Sequence, residues 1–254
     1  MQDTTPKTER GMTFLEHLDE LRSRLFRIAI VYVAALGVCW FVSDKILGFL
    51  MKPIREHLMQ GGDIIFISIT EPFMVYMKAS AIGALFASAP YILWQLWGFV
   101  APGLYKAERR ATVIFIAVGS LFFIAGGAFG YYVAMPLTSA WLISLGAQFK
   151  AQLTLESAFE FESRLILGAG LVFEMPIVIL LLARFGIITP GFLLRHLRVA
   201  ILAIAIAAAV ITPSGDALTM SVFAAPMIGL YLSGIAFAWL ATRGQEAGRR
   251  RERA

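Results

Sequence analysis

LILGAGLVFEMPIVILLLA, running from Leu165 to Ala183, is nineteen residues with one charged side chain, Glu174. A helix needs about 20 predominantly apolar residues to cross roughly 30 Å of hydrocarbon, and this stretch supplies them. An ionised side chain at the centre of a bilayer costs from about 2.5 to over 10 kcal/mol. Glu174 must therefore meet a partner, face a wet cavity or carry a proton. The plain account is a neutral acid hydrogen-bonded between helices; the functional account is a polar contact for a moving segment or a proton-linked site. Pro176, two residues on, removes a backbone donor and bends the helix at the same depth. A bent helix with a buried acid makes a concave surface.

The rest of the chain repeats this pattern. Of its 254 residues, 59% are from the set AVILMFWYC and 15% are charged, with a mean hydropathy of +0.75. Soluble domains are about half apolar and about a quarter charged, so this surplus does not fit inside one globular core and a soluble enzyme is excluded. The apolar stretches predict an all-α integral membrane protein with six spans, at about 28–50, 73–98, 111–135, 164–183, 197–211 and 217–240. No length remains for a second large domain. The charged lead-in before residue 28 reads as the start of a retained first span, since no convincing small-residue cleavage site follows it. At 1.5 Å per residue the fifth span reaches only about 22 Å, so it must thin the bilayer or recruit snorkelling Arg195 and Arg198.

Sorting the 22 Lys and Arg residues by alternating loops places sixteen on one side and six on the other. The richer side is the cytoplasmic one, which puts both termini inside. The net charge of +5 points to anionic headgroups before nucleic acid. The basic tail, residues 243–254, reads as a solvated, disordered anchor. The longer outside loops, about 51–72 and 136–164, are expected to carry short interfacial helices that form a cap. TLESAFEF, Thr154 to Phe161, has the form of a capped helix start.

Catalytic signatures are missing: there is no Walker loop, no Gly-x-Ser-x-Gly, and His17, His57 and His196 lie in separate segments. Cys39 sits in an apolar run and reads as a small hydrophobe. No cofactor or metal is expected. In EHLDELRSRLFR, Glu16 to Arg27, Leu18, Leu21 and Leu25 recur at helical spacing, so an amphipathic helix enters the first span. Its other face carries Glu16, Asp19, Glu20, Arg22 and Arg24, with Glu20 and Arg24 as an i,i+4 pair. The loop QLWGFVAPGLYKAERR, Gln95 to Arg110, sets Glu108 beside Arg109 and Arg110. Two membrane-proximal carboxylates suit a ligand with two guanidinium groups, because Arg matches carboxylate bidentately.

HLDELRSRL at His17 to Leu25, SAPYILWQLWGFVAPGLYKAERR at Ser88 to Arg110 and FEMP at Phe173 to Pro176 together resemble the TatC family, the receptor subunit of the twin-arginine protein translocase. The resemblance extends over essentially the whole chain. It implies a concave, glove-like six-helix fold and a non-enzymatic role in the bacterial inner membrane, driven by the proton gradient. It implies that Glu20 and Glu108 bind the paired arginines of signal peptides on folded cargo, with Arg22 keeping the acids oriented and Phe99 packing on the signal's apolar residues. Glu174 and Pro176 would belong to a concave face that meets the single-span subunits TatA and TatB, in an oligomer with TatB. Pro53 would match a proline of the first periplasmic loop, and Asp216 the aspartate after the fifth span. Here that turn reads TPSGD, one residue longer than the TPPD common in the family. The rival reading from the residues is a proton-coupled transporter of a small solute with Glu174 as carrier, against which stands the lack of an inverted repeat.

Overall fold

The computed structural model describes residues 14–57, 63–100, 109–146, 148–149, 152–212 and 214–252. It is a helical membrane fold whose elements run α1 (Phe14–Trp40), α2 (Ser43–Leu50), α3 (Lys52–His57), β1 (Asp63–Ile65), α4 (Glu71–Val100) and α5 (Arg109–Phe129). A π-helical turn (Gly130–Ala134) follows, then α6 (Met135–Leu145), β2 (Gln152–Thr154), α7 (Leu155–Phe173), α8 (Met175–Arg184), α9 (Pro190–Arg195), α10 (Leu197–Ile211) and α11 (Ala217–Glu252). Five helical stretches are long and apolar enough to cross a membrane: Leu15–Trp40, Glu71–Phe99, Val113–Leu145, Leu155–Arg184 and Ala217–Leu240. The sixth apolar helix, Leu197–Ile211, is shorter and has the bounds read from its sequence.

α7 and α8 form the central rod, buried along most of their length, with α5 packed on one flank and α11 on another. α1 is peripheral and leans almost entirely on α4. The two are antiparallel: Arg24 reaches Gln95 near one end, the Tyr32 hydroxyl donates to the Ala81 carbonyl midway (3.2 Å), and Trp40 meets Phe73 edge-on near the other (5.7 Å). Buried hydroxyls return to their own helices: Ser88 donates to the Ala84 carbonyl at 2.6 Å and Thr138 to that of Ala134 at 2.7 Å. In hydrocarbon that local bond spares them the cost of an unmet donor.

Four expectations change. The first apolar stretch does not run unbroken to residue 50, because the helix ends at Trp40 and α2 restarts at Ser43. The third does not stop at Pro136. Its helix continues to Leu145 through the π-turn, where the Met135 N–H reaches back to the Gly130 carbonyl. The wider turn makes room for a proline ring that an α-helical turn would exclude. The capped start at Thr154 is present, with Ser157 N–H donating to the Thr154 hydroxyl at 3.2 Å. It opens the fourth apolar rod itself, however, and not a separate interfacial helix. The tail is helical through Glu252, since Ala, Gln, Glu and Arg propagate a helix that is already nucleated.

The end of the bundle remote from the α1 N-terminus carries the cap. It contains α3, within the loop expected to carry a short helix, together with α2, which was expected as the end of the first span, and a parallel two-stranded ladder that sequence reading missed, pairing Asp63 with Gln152 and Ile65 with Thr154. Three-residue strands are too short to show a period. Glu71 reinforces the join: one carboxylate oxygen accepts from Ile67 N–H (2.8 Å) and the other from Glu156 N–H at the start of α7 (2.8 Å). Lys78 on α4 donates to both Glu156 (2.7 Å) and Glu160 (3.2 Å) of α7.

α5 approaches α7 most closely at Gly126 and Gly130, four residues apart. A Cβ at Gly126 would lie 2.5 Å from the Ala169 carbonyl oxygen, and one at Gly130 2.8 Å from Ile166 Cα. Both obstacles are backbone, which cannot swing aside, and small residues at this spacing are how membrane helices come together. Gly126→Val and Gly130→Val are each expected to destabilise the fold by about 1–3 kcal/mol or more. Gly48→Ala, whose Cβ meets nothing within 4 Å, should be close to neutral. Thermal unfolding of the detergent-solubilised chain checks the contrast.

Candidate functional site

The N-terminal end of α1 lies against the C-terminal end of α4, and a row of polar groups crosses that seam. The Arg24 guanidinium donates from Nε (2.9 Å) and Nη2 (2.6 Å) to a single oxygen, Oε1, of Glu20. Its remaining nitrogen, Nη1, points at the backbone carbonyl and side-chain oxygen of Gln95, at 3.3 and 3.4 Å. Gln95 is fixed in turn by donating its amide to the Tyr91 hydroxyl (2.9 Å). Gly98 makes the crossing possible, since a Cβ there would stand 3.1 Å from the guanidinium carbon of Arg24. Arg24 and Glu20 are each about four-fifths covered, with side-chain exposures of 19% and 21%. A charge-assisted pair in such a place is stronger than a surface ion pair.

The second oxygen of Glu20, Oε2, is buried and makes no hydrogen bond among the described residues. His17 Nδ1 lies 3.9 Å from it, beyond hydrogen-bond range. The His17 imidazole lies flat on Phe99, with centroids 4.4 Å apart and planes at 13°. The oxygen is thus near the edge of a His17 ring that covers Phe99.

Of the residues expected from sequence to form this site, Glu20 and Phe99 are brought to the same seam. Glu108 lies outside the described residues. Among the described residues Arg22 makes no hydrogen bond or ion pair with Glu20; its guanidinium sits over the Phe26 ring at 5.7 Å. Arg24 holds the acid instead, because i,i+4 places it one turn along the same face whereas i,i+2 points away. Gln95, Tyr91 and His17 escaped sequence reading; the i,i+4 spacing of Glu20 and Arg24 was the only available signal.

Glu174 stands at the junction of α7 and α8, where the rod is interrupted, with Pro176 in the first turn of α8. Its carboxylate and the Trp97 indole both border Gly119: a Cβ there would lie 3.5 Å from Glu174 Oε2 and 3.5 Å from Trp97 Nε1. Both Glu174 oxygens and the Trp97 N–H are buried without a hydrogen bond among the described residues. Pro176 is backed by α11, a Cβ at Gly234 coming within 3.1 Å of its Cα. Glu162, twelve residues earlier on α7, is 1% exposed and equally without a partner. It was missed because it fell outside the apolar stretch, although 162, 165, 166 and 169 share the buried face of α7.

Pro53 is buried in α3, within the cap. Asp216 caps α11: its carboxylate accepts from Leu218 N–H (3.0 Å), Thr219 N–H (3.0 Å) and the Thr219 hydroxyl (2.6 Å). Gly215, at φ +61°, turns the chain through a left-handed conformation open to glycine. Among the described residues no group of three or more His, Cys, Asp or Glu is placed to hold a metal ion.

A rod of apolar helices flanked by others, capped at one end and bearing a part-buried ion pair at the other, defines a multi-pass membrane protein. Its residues 16–226 match the family model described as Sec-independent protein translocase protein (TatC). The chain is 43% identical over 236 residues to the Sec-independent protein translocase protein TatC of Koribacter versatilis, covering 91% of this chain and 86% of that one. It is 37% identical over 218 residues to the protein of the same name from Campylobacter jejuni, covering 85% and 89%. A crystal structure described as that of the twin arginine translocase receptor TatC superposes with a TM-score of 0.79 at 31% identity, over 89% of this chain and 100% of that one. The chain belongs to the TatC family, components of a machinery for protein transport.

Hydrogen bonds from Thr219 and Ser214, then from the backbone, hold the Asp216 carboxyl well below its ordinary value of 3.8. A depressed value means the charged cap stabilises fully above pH 3.8 and loses that contribution as the pH falls through the acid range below it. In thermal unfolding, the chain should exceed its Asp216→Asn variant in Tm at pH 7. The gap should narrow below about pH 4; a gap constant down to pH 3 contradicts the assignment.

Proposed function

We propose that this chain is the receptor subunit of a twin-arginine translocase, a non-enzymatic protein that binds the paired arginines of signal peptides on folded cargo at the cytoplasmic side. The observation that carries this reading is Glu20, a part-buried carboxylate with one oxygen fixed by Arg24 and the other without a hydrogen bond among the described residues. Its second oxygen lies 3.9 Å from the His17 imidazole, which stacks on Phe99 near the end of α4. One arginine of the signal pairs with Glu20 and the other with Glu108, while the amphipathic start of α1 and Phe99 frame the apolar residues that follow. The likeness to a solved twin arginine translocase receptor agrees with this role.

In the same reading the wall containing Glu174 and Pro176 docks the single-span subunits TatA and TatB. The Glu174 carboxylate and Trp97 indole, buried without hydrogen bonds among the described residues, support it, because buried polar groups without partners favour a ligand that supplies them. The chain sits in the bacterial inner membrane with both termini and α1's charged start in the cytoplasm, as its sixteen-to-six distribution of basic residues favours. Transport draws on the proton gradient.

The test is photo-crosslinking of a twin-arginine signal peptide to the full-length chain in membranes. Glu20→Ala and Glu108→Ala are each expected to weaken binding by about 2 kcal/mol, roughly thirtyfold. Undiminished crosslinking in the double variant removes the proposed site.

A further inference from the structure

Between Glu174 and Asp216 the sequence has no carboxylate, yet it carries Arg184, Arg195, His196 and Arg198. Arg184 lies over the Phe115 ring, 6.0 Å from its centroid. Arg195 and Arg198 are exposed and, among the described residues, have neither a hydrogen bond nor an ion pair. Arg24 and Arg164, by contrast, each face a glutamate. The two exposed arginines flank His196, the single residue between α9 and α10, so their Cα atoms stand within about 11 Å of each other. The segment that carries them is braced. Gly186 turns the chain at φ +73°, and the Thr189 hydroxyl accepts from Phe192 N–H at 3.2 Å to open α9. Leu193 is buried, its carbonyl accepting from the Tyr231 hydroxyl of α11 at 3.1 Å. With Leu193 turned inward, Ile187, Phe192 and Leu194 are left 67%, 52% and 55% exposed. Apolar side chains and unpaired guanidinium groups thus stand out from one short, fixed connection.

We propose that this connection is a docking site for an anionic phospholipid, with Arg195 and Arg198 holding the headgroup phosphate and Ile187, Phe192 and Leu194 lying among the upper parts of the acyl chains. Guanidinium forks match phosphate oxygens geometrically, and the missing carboxylates leave the positive charge of the segment for a ligand to neutralise. Depth favours the lipid. The rod of α7 and α8 starts at the cap, where Glu71 ties it down, so Arg184 and the connection after it lie at the opposite end. From there α10 re-enters the membrane with only 15 residues, about 22 Å against a hydrocarbon thickness of roughly 30 Å. A helix that short draws headgroups down toward its ends, which sets Arg198 level with phosphates. An acidic peptide in water would match the arginines and leave the apolar side chains wet; a phospholipid matches both.

The experiment titrates the full-length chain, in micelles of an uncharged detergent, with fluorescent phosphatidylglycerol and with phosphatidylethanolamine of the same acyl chains. The readout is the ratio of half-saturating concentrations. Phosphatidylglycerol should bind about tenfold more tightly. Arg195→Gln and Arg198→Gln should each lower its affinity about fivefold, the share of one basic residue at an anionic surface, and the double variant should erase the preference. Arg164→Gln, near the cap, should leave the ratio within about twofold. Phe192→Ser should weaken both lipids alike. A preference that survives the double variant, or one lost equally in Arg164→Gln, overturns the site. Displacement of the lipid by millimolar inorganic phosphate or by a polyglutamate peptide also overturns it, since the occupant is then a soluble anion. If the arginine variants do not accumulate in the membrane, the unaltered chain decides, using phosphatidylglycerol with a photoactivatable acyl chain. Labelling of residues 185–198 above the level given by the matching phosphatidylethanolamine supports the site, and labelling confined to other segments overturns it.

Discussion

Hydrocarbon supplies no hydrogen bonds, so every polar group this chain carries into the membrane must find its partner within the chain or hold itself ready for one from outside. The backbone meets that demand by forming helices, and the buried hydroxyls by bonding to carbonyls of their own helices. The carboxylates divide. Glu71 uses both oxygens on backbone N–H groups and ties the cap to α7. Glu20 uses one oxygen on Arg24 and keeps the other free, while Glu162 and Glu174 have no partner among the described residues. At Glu71 the demand is fully met and the structure is a brace; at Glu20 it is half met.

The same demand explains the shape of the central rod. α7 and α8 pack by close approach, since lipid tails are as apolar as leucine and squeezing out water gives no drive between helices. Gly126 and Gly130 let α5 reach the α7 backbone, and Gly234 lets α11 reach that of Pro176. Two irregularities fall where a proline must be housed. The π-turn precedes Pro136, and the break at Glu174 precedes Pro176. That break also turns the Glu174 carboxyl toward Gly119 and Trp97.

At the other end, a peripheral helix is pinned to the bundle by Arg24 lying across α4 at Gly98, anchored to Gln95. The bond from Tyr32 to Ala81 and the contact between Trp40 and Phe73 continue the seam. The carboxylate of the proposed receptor site is therefore fixed by the interaction that fastens α1 to α4. In the proposed reading, a ligand that pairs with Glu20 would compete for the guanidinium that fastens α1 to α4.

The helical membrane class, the bounds of α10, the capped start at Thr154 and the acid in the middle of the fourth rod were legible in the sequence. Each follows from local composition: apolar length, a hydroxyl ahead of acidic residues, one charge amid eighteen uncharged neighbours. The Glu20–Arg24 pair was legible as well, from its i,i+4 spacing, but the anchoring of Arg24 on Gln95, the His17 stack on Phe99, the β1–β2 ladder and the burial of Glu162 belong to the tertiary structure alone. They join residues as far apart as Arg24 and Gln95, or Asp63 and Gln152. Periodicity reports which face of a helix is apolar, but it carries no information about which other helix will lie against that face or how close a glycine will let it come.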